Sequence, residues 1–183
     1  MNEKNIKRIS KFLSLLLRHQ PEKIGLQLDS NGWASVDELL QKSKKYGVRF
    51  SIDELEAVVA NNDKKRFTFN IDKTKIRANQ GHSLQTIDLE LRPVQPPEFL
   101  YHGTVAKFMN AIHDKGLQKM SRQHVHLSTE IETAMKVGSR RGKPIILTVK
   151  SGEMKLKGYE FYLSENNVWL TDSVPSEFIK FKQ

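Results

Sequence analysis

Arg92-Pro93-Val94-Gln95-Pro96-Pro97 sets three prolines within five residues. Each proline lacks a backbone N–H and fixes φ, so neither a helix nor a sheet interior runs through the stretch. The stretch divides a chain of 183 residues nearly in half. Set against about 150 residues for an ordinary domain, this predicts two small lobes, 1–92 and 98–183, joined by a linker at 93–97.

Both halves are basic. Lys plus Arg is 30 against 21 Asp plus Glu, a formal charge of +9. Residues 1–95 carry 17 basic and 12 acidic side chains, and residues 96–183 carry 13 and 9. Attraction to a polyanion such as nucleic acid is therefore expected of the whole chain. The apolar share of 38% is too high for general disorder. The absence of cysteine removes disulfides, thiolate nucleophiles and sulfur-ligated zinc. No apolar run approaches the ~18 residues of a membrane span. Met1-Asn2-Glu3-Lys4-Asn5 leads into an amphipathic segment, not an apolar signal core, so a cytoplasmic protein without a membrane partner is expected.

The first half reads helix, helix, helix, hairpin. Ile6, Ile9, Leu13, Leu16 and Leu17 recur at helical spacing, and Pro21 ends that helix by Gln20. Ser35 with Glu38 and Ser51 with Glu54 each fit a capping box ahead of an apolar face. Arg66-Phe67-Thr68-Phe69-Asn70-Ile71 alternates as a strand does, Asp72-Lys73 turns, and Lys75-Ile76-Arg77 returns. That is the order of a winged helix.

The second half reads as α+β with a mostly β core. Phe99-Leu100-Tyr101 is a strand, and Val105, Phe108, Met109 and Ile112 lie on one face of a helix that Gly116 stops. His124 to Ser128 is a short strand, and Thr129 with Glu132 predicts a third capping box. Pro144–Val149, Tyr159–Leu163 and Val168-Trp169-Leu170 supply further strands. No Gly-x-Gly-x-x-Gly turn joins a strand to a helix, so a Rossmann site is not supported.

Five polar segments carry possible chemistry. Arg18-His19 closes the first helix, where cations also serve simply to offset the negative end of the dipole. Arg77-Ala78-Asn79-Gln80-Gly81-His82-Ser83 has the inventory of an anion loop, namely a guanidinium fork, amides and a hydroxyl, and equally that of a polar turn. Tyr101-His102-Gly103-Thr104 sets His at a strand end, Gly where the backbone approaches a ligand, and Thr as the cap of the next helix. His124 and His126 share one side of a strand, but with no carboxylate at ligand spacing no metal is expected. Gly138-Ser139-Arg140-Arg141-Gly142-Lys143-Pro144 groups three cations; it is not a Walker loop, and a solvated charge cluster explains it as well.

Together, Arg18-His19, Arg77-Ala78-x-Gln80-Gly81-His82-Ser83, Tyr101-His102-Gly103-Thr104, His124-Val125-His126-Leu127-Ser128 and Val137-Gly138-x-Arg140 with Val168-Trp169-Leu170-Thr171 resemble the RNA 2′-phosphotransferase family over nearly the whole chain. The resemblance implies a winged-helix-like lobe and an ADP-ribosyltransferase-like lobe with the active site in the cleft between them. It also implies a reaction in two steps. The RNA 2′-phosphate, typical of a splice junction in tRNA, attacks C1″ of NAD and expels nicotinamide, giving an RNA-phospho-ADP-ribose intermediate. The ribose 2″-hydroxyl then attacks phosphorus, releasing 2′-OH RNA and ADP-ribose 1″,2″-cyclic phosphate.

The residues implied for catalysis are Arg18, His19, Arg77 and Arg140, with the spacing from Val137-Gly138 favouring Arg140 over Arg141. His102, Gly103, Thr104, His126 and Ser128 are implied to hold NAD, and Gln80 and His82 to lie near the substrate phosphate. A monomer is expected. The chemistry is coherent with this set: a phosphate monoester carries about −1.5 to −2 charges at pH 7 and needs no general base. Val168 stands where protein-modifying ADP-ribosyltransferases place a glutamate, so no carboxylate there repels the dianion. Two alternatives remain open, an enzyme that ADP-ribosylates a terminal phosphate of nucleic acid and a non-catalytic winged-helix nucleic-acid binder.

Overall fold

In a computed structural model, residues 3–61 and 65–181 are described. Met1 and Asn2, which open the segment read above for a secretory signal, lie outside them. The chain is mixed α/β, with six α-helices and small antiparallel sheets among the described residues. It divides into two compact units, Met1–Glu90 and Leu91–Gln183. No helix among the described residues is long and apolar enough to cross a membrane.

The first unit begins with α1 (Glu3–Arg18), whose Ile9, Leu13, Leu16 and Leu17 are fully buried. The helix stops short of Pro21, which opens a 3-10 turn over Pro21–Ile24, and Gly25 closes that turn at φ 68°. A two-residue strand β1 (Ala34–Ser35) leads into α2 (Val36–Lys45), followed by α3 (Ile52–Ala60), β2 (Phe67–Phe69) and β3 (Lys75–Ala78). Around Ser51 the full capping box forms, and the free oxygen of Glu54 also accepts from Asn5 Nδ2, tying α1 to α3. At Ser35 only half of it forms: Ser35 accepts from the Glu38 amide, while the Glu38 carboxylate turns to Lys42. The i,i+4 cation outcompetes the backbone amide there. β3 is the centre of a sheet ordered β1-β3-β2, with Ala34 opposite Ile76 and Thr68 opposite Arg77. Ile76 and Ala78 are buried with the helices, so period-2 alternation sends Arg77 to the other face.

The second unit contains β4 (Leu100–Val105), α4 (Met109–Lys115), β5 (Leu117–Gln118), β6 (Val125–Leu127), α5 (Ile131–Gly138), β7 (Pro144–Val149), α6 (Ser151–Leu156), β8 (Tyr162–Leu163), β9 (Trp169–Thr171), β10 (Ser173–Val174) and β11 (Ile179–Lys180). Its two three-stranded sheets run β11-β7-β4 and β6-β9-β8, and β10 pairs with β5. Reciprocal backbone bonds between Tyr101 and Ser128 join β4 to the end of β6. Phe161, Leu100, Leu147 and Met154 form the centre of its core. Each such side chain contributes roughly 1.5–3 kcal/mol when buried.

Several local expectations are corrected. The proline stretch is laid against the second unit: the Val94 amide donates to Phe161 O, Pro96 is buried, and Pro97 O accepts from Ser151 Oγ. The strand expected over Tyr159–Leu163 is confined to Tyr162–Leu163, and α6 follows β7 where no helix was expected. Thr129 caps nothing; α5 starts after Glu130, without a side-chain cap. Ser128 Oγ instead accepts from the Glu130 amide, and the Glu130 carboxylate accepts from Thr133.

Candidate active site

In the first unit the helix end and the Asn79–Ser83 loop are fastened together. The last carbonyls of a helix have no partner within it. The Ser83 amide donates to Arg18 O at 3.0 Å, and its hydroxyl lies 3.4 Å from the same oxygen. Ser83 Oγ is also 3.0 Å from His19 Nδ1. With the hydroxyl proton directed at the carbonyl, Nδ1–H donates to Oγ. Arg77 lies with its guanidinium 4.6 Å from the Trp33 ring centroid, and Arg18 lies 5.9 Å from that of Phe67. Such contacts orient a planar cation.

His82 sits among them and is fully buried. Burial first, then the charges of Arg18, His19 and Arg77, push its pKa from 6.5 down to about 4, so the ring is neutral at pH 7. Among the described residues neither ring nitrogen has a hydrogen-bond partner, and neither do the buried Gln80 Oε1 and Asn79 Oδ1. Native proteins pair nearly all buried polar atoms. Of the atoms unpaired here, the two amide oxygens can only accept, so the groups of this region able to meet an anion are the guanidinium groups of Arg18 and Arg77 and the one N–H of the His82 ring.

The second unit holds a second cationic cluster. His102 Nδ1 donates to His126 O at 3.0 Å, fixing the tautomer with Nε2 as the outer nitrogen. Burial, then Arg122 and Arg141, depress the His102 pKa against the opposing effect of that hydrogen bond. Arg122 Nη1 lies 3.1 Å from His126 Nδ1. Partial desolvation, then Arg141 and Arg140, lower the pKa of Arg122 itself. Arg140 and Arg141 are exposed on the 3-10 turn Ser139–Arg141, and Arg141 lies 5.7 Å from the Phe108 ring centroid. His124 instead packs against Tyr162.

The expected geometry of Tyr101-His102-Gly103-Thr104 is corrected. These residues run through the middle of β4, paired with β7 from Thr148 to Ile145. Thr104 is buried there and caps no helix. A Cβ on Gly103 would lie 1.8 Å from Ala134 O and 2.9 Å from Gly138 N. Glycine is therefore required at this position for the close approach of α5.

Comparison with known proteins points the same way. The model of the RNA 2′-phosphotransferase, Tpt1 / KptA family matches residues 4–173. A relative from Flavobacterium johnsoniae, named "Probable RNA 2′-phosphotransferase", is 64% identical over the full length of both chains. One of the same name from Fusobacterium nucleatum is 55% identical over 95% of this chain and 97% of its own. The relative from Streptomyces griseus is 51% identical over 98% of each.

The chain belongs to this family. Within this family member, the structure gathers Arg18, His19, Arg77 and His82 in one unit, with Gln80 in the same loop, and His102, His126, Arg140 and Ser128 in the other. Sequence reading missed Trp33 and Phe67, which hold the two guanidinium groups, and Arg122, which touches His126. Arg122 lies four residues before His126, outside every cluster of basic residues, so spacing alone gave no signal.

Proposed function

We propose that the protein transfers an internal RNA 2′-phosphate to NAD, yielding 2′-OH RNA, nicotinamide and ADP-ribose 1″,2″-cyclic phosphate. One observation carries this: a neutral, fully buried, unpartnered imidazole at His82 lies within electrostatic reach of Arg18, His19 and Arg77. A structural core has no use for two guanidinium groups and a second imidazole around an unpaired ring. A phosphoryl dianion does.

In this reading the first unit is winged-helix-like, supported by its three helices and hairpin with β1 as the third strand. The second is ADP-ribosyltransferase-like, supported by its two antiparallel sheets joined at Tyr101 and Ser128. NAD fits the second unit by charge: Arg140 and Arg141 act on Arg122, and Arg122 and Arg141 act on His102, a concentration of positive charge that a pyrophosphate would offset. His102, Gly103, Thr104, His126 and Ser128 are its assigned holders, Gly103 and Thr104 contributing through β4 itself. NAD supplies an electrophilic anomeric carbon and a good leaving group.

The chain's residues do the rest. The phosphate arrives already ionised, so no general base is needed. Arg18 and Arg77 stabilise charge on its non-bridging oxygens, each donor worth about 2.7–4 kcal/mol in comparable oxyanion sites, and Arg140 is assigned to the same reaction. His19 moves a proton, and Gln80 and His82 line the phosphate region.

The test is a short RNA with one internal 2′-phosphate, incubated with and without NAD. Nicotinamide and dephosphorylated RNA should appear together and only with NAD. A product that keeps ADP-ribose on a terminal phosphate would overturn the reading in favour of capping. RNA or DNA binding with no consumption of NAD would overturn it in favour of a non-catalytic binder.

A further inference from the structure

α1 carries a second pattern that the core does not need. At 3.6 residues per turn, Lys4, Lys7, Lys11, Ser14 and Arg18 lie within about 40° of one line down the helix, opposite buried Ile9, Leu13, Leu16 and Leu17. Lys4, Lys7 and Lys11 are exposed, Ser14 and Arg18 half-buried. The stripe thus runs from open surface into the Arg18 site over about 21 Å at 1.5 Å per residue. Arg8 stands off this line and is engaged elsewhere, with Asn5 Oδ1 and Arg49 O.

Nothing in the fold explains the stripe. Among the described residues none of its lysines enters an ion pair. Lys4 lies in the first turn, where the helix dipole disfavours a cation, and Lys7 with Lys11 is a like-charged i,i+4 pair. Both arrangements weaken the helix, and Glu3, four residues before Lys7, offsets them only in part. The apolar face of α1 is consumed by the core, so the basic face does not belong to a membrane-surface helix, which would need that apolar face free.

We propose that Lys4, Lys7 and Lys11 form a phosphate track for the RNA strand continuing from the 2′-phosphate at Arg18. The proposal rests on the functional reading above. A line of cations at helical spacing contacts successive backbone phosphates without reading sequence. It would make the enzyme favour a 2′-phosphate embedded in a strand over the same group in a minimal oligonucleotide.

The experiment compares wild type with the Lys4→Gln, Lys7→Gln, Lys11→Gln triple variant on two 2′-phosphorylated RNAs, a trinucleotide and a single strand of about twelve nucleotides. For the longer RNA, KM should rise about tenfold with kcat unchanged. The slope of log affinity against log salt should fall by about 2, at ~0.7 per single-strand phosphate contact. KM for the trinucleotide should not move, and Tm should hold or rise. Equal KM and equal salt slope for the longer RNA would overturn the track. So would loss of binding to phosphatidylserine vesicles with RNA binding intact. If wild type supplied with NAD converts neither RNA to its 2′-OH form, the functional reading fails, and direct binding of the twelve-nucleotide strand still decides the track.

Discussion

The two cationic clusters are held on different terms. In the first unit Arg18 and Arg77 are half-buried, lie near aromatic rings, and sit beside a loop bonded to the helix end. In the second, Arg122 touches His126 and Arg141 also lies near a ring, that of Phe108, but all three of Arg122, Arg140 and Arg141 are exposed, and two of them ride a short turn that ends at Gly142. Ordering a long side chain costs up to about 2 kcal/mol of rotamer freedom. The first cluster meets most of that cost on folding and presents fixed donors; the second meets it when a ligand arrives. Fixed donors such as Arg18 and Arg77 stabilise charge that develops during a reaction, whereas adaptable ones such as Arg122 and Arg141 suit a cofactor that must enter and leave.

Conservative substitution should separate the two most sharply. Arg18→Lys keeps the charge but loses the planar two-point contact, so phosphate transfer should fall about 100- to 1,000-fold in single-turnover assays. Arg140→Lys should also slow transfer, but on an exposed turn it should leave stability within about 0.5 kcal/mol by denaturant unfolding. Near-wild-type turnover in Arg18→Lys would remove the clamp from the mechanism.

That asymmetry also governs what was legible beforehand. The helices of the first unit were readable because Ile9, Leu13, Leu16 and Leu17 keep a strict period and Ser51 with Glu54 announces a helix start. Arg18, Arg77 and His82 were readable as a set only through the resemblance, since their meeting depends on the Ser83 to Arg18 bond, 65 residues apart. The need of α5 for Gly103 was not legible, because a glycine required by a neighbouring helix and one required by a ligand look identical in one dimension. Thr129 was misread because the cap motif tolerates the sequence while Ser128 and Glu130 take the hydrogen bonds.

Burial of the first site also predicts a pH signature. The pKa of His82 is lowered from 6.5 to about 4 in the folded chain. Between those values the unfolded chain takes up a proton that the folded chain refuses, so stability falls on acidification through this window and is complete above it. The shift corresponds to a loss of about 3 kcal/mol. His82→Leu, which removes the titrating group and two unpaired ring nitrogens, should flatten that part of the unfolding profile without loss of stability at pH 7. An unchanged slope between pH 6.5 and 4 would mean that the ring is solvated.

A smaller effect tests the framework of the second site. Gly103→Ala would drive a methyl group into the Ala134 carbonyl, where no flexible side chain can yield. Overpacking against backbone typically costs about 1–3 kcal/mol, and here it should lift α5 off β4. The turn carrying Arg140 and Arg141 begins where α5 ends, at Gly138, whose own Cβ would meet Thr104 O at 3.1 Å. Affinity for NAD should therefore fall in Gly103→Ala through displacement of α5 and of the turn that follows it. Binding of phosphorylated RNA to the first cluster should be spared. Equal loss of both affinities would mean that the two clusters share one folding unit, and the contrast between a fixed and an adaptable site would have no structural basis.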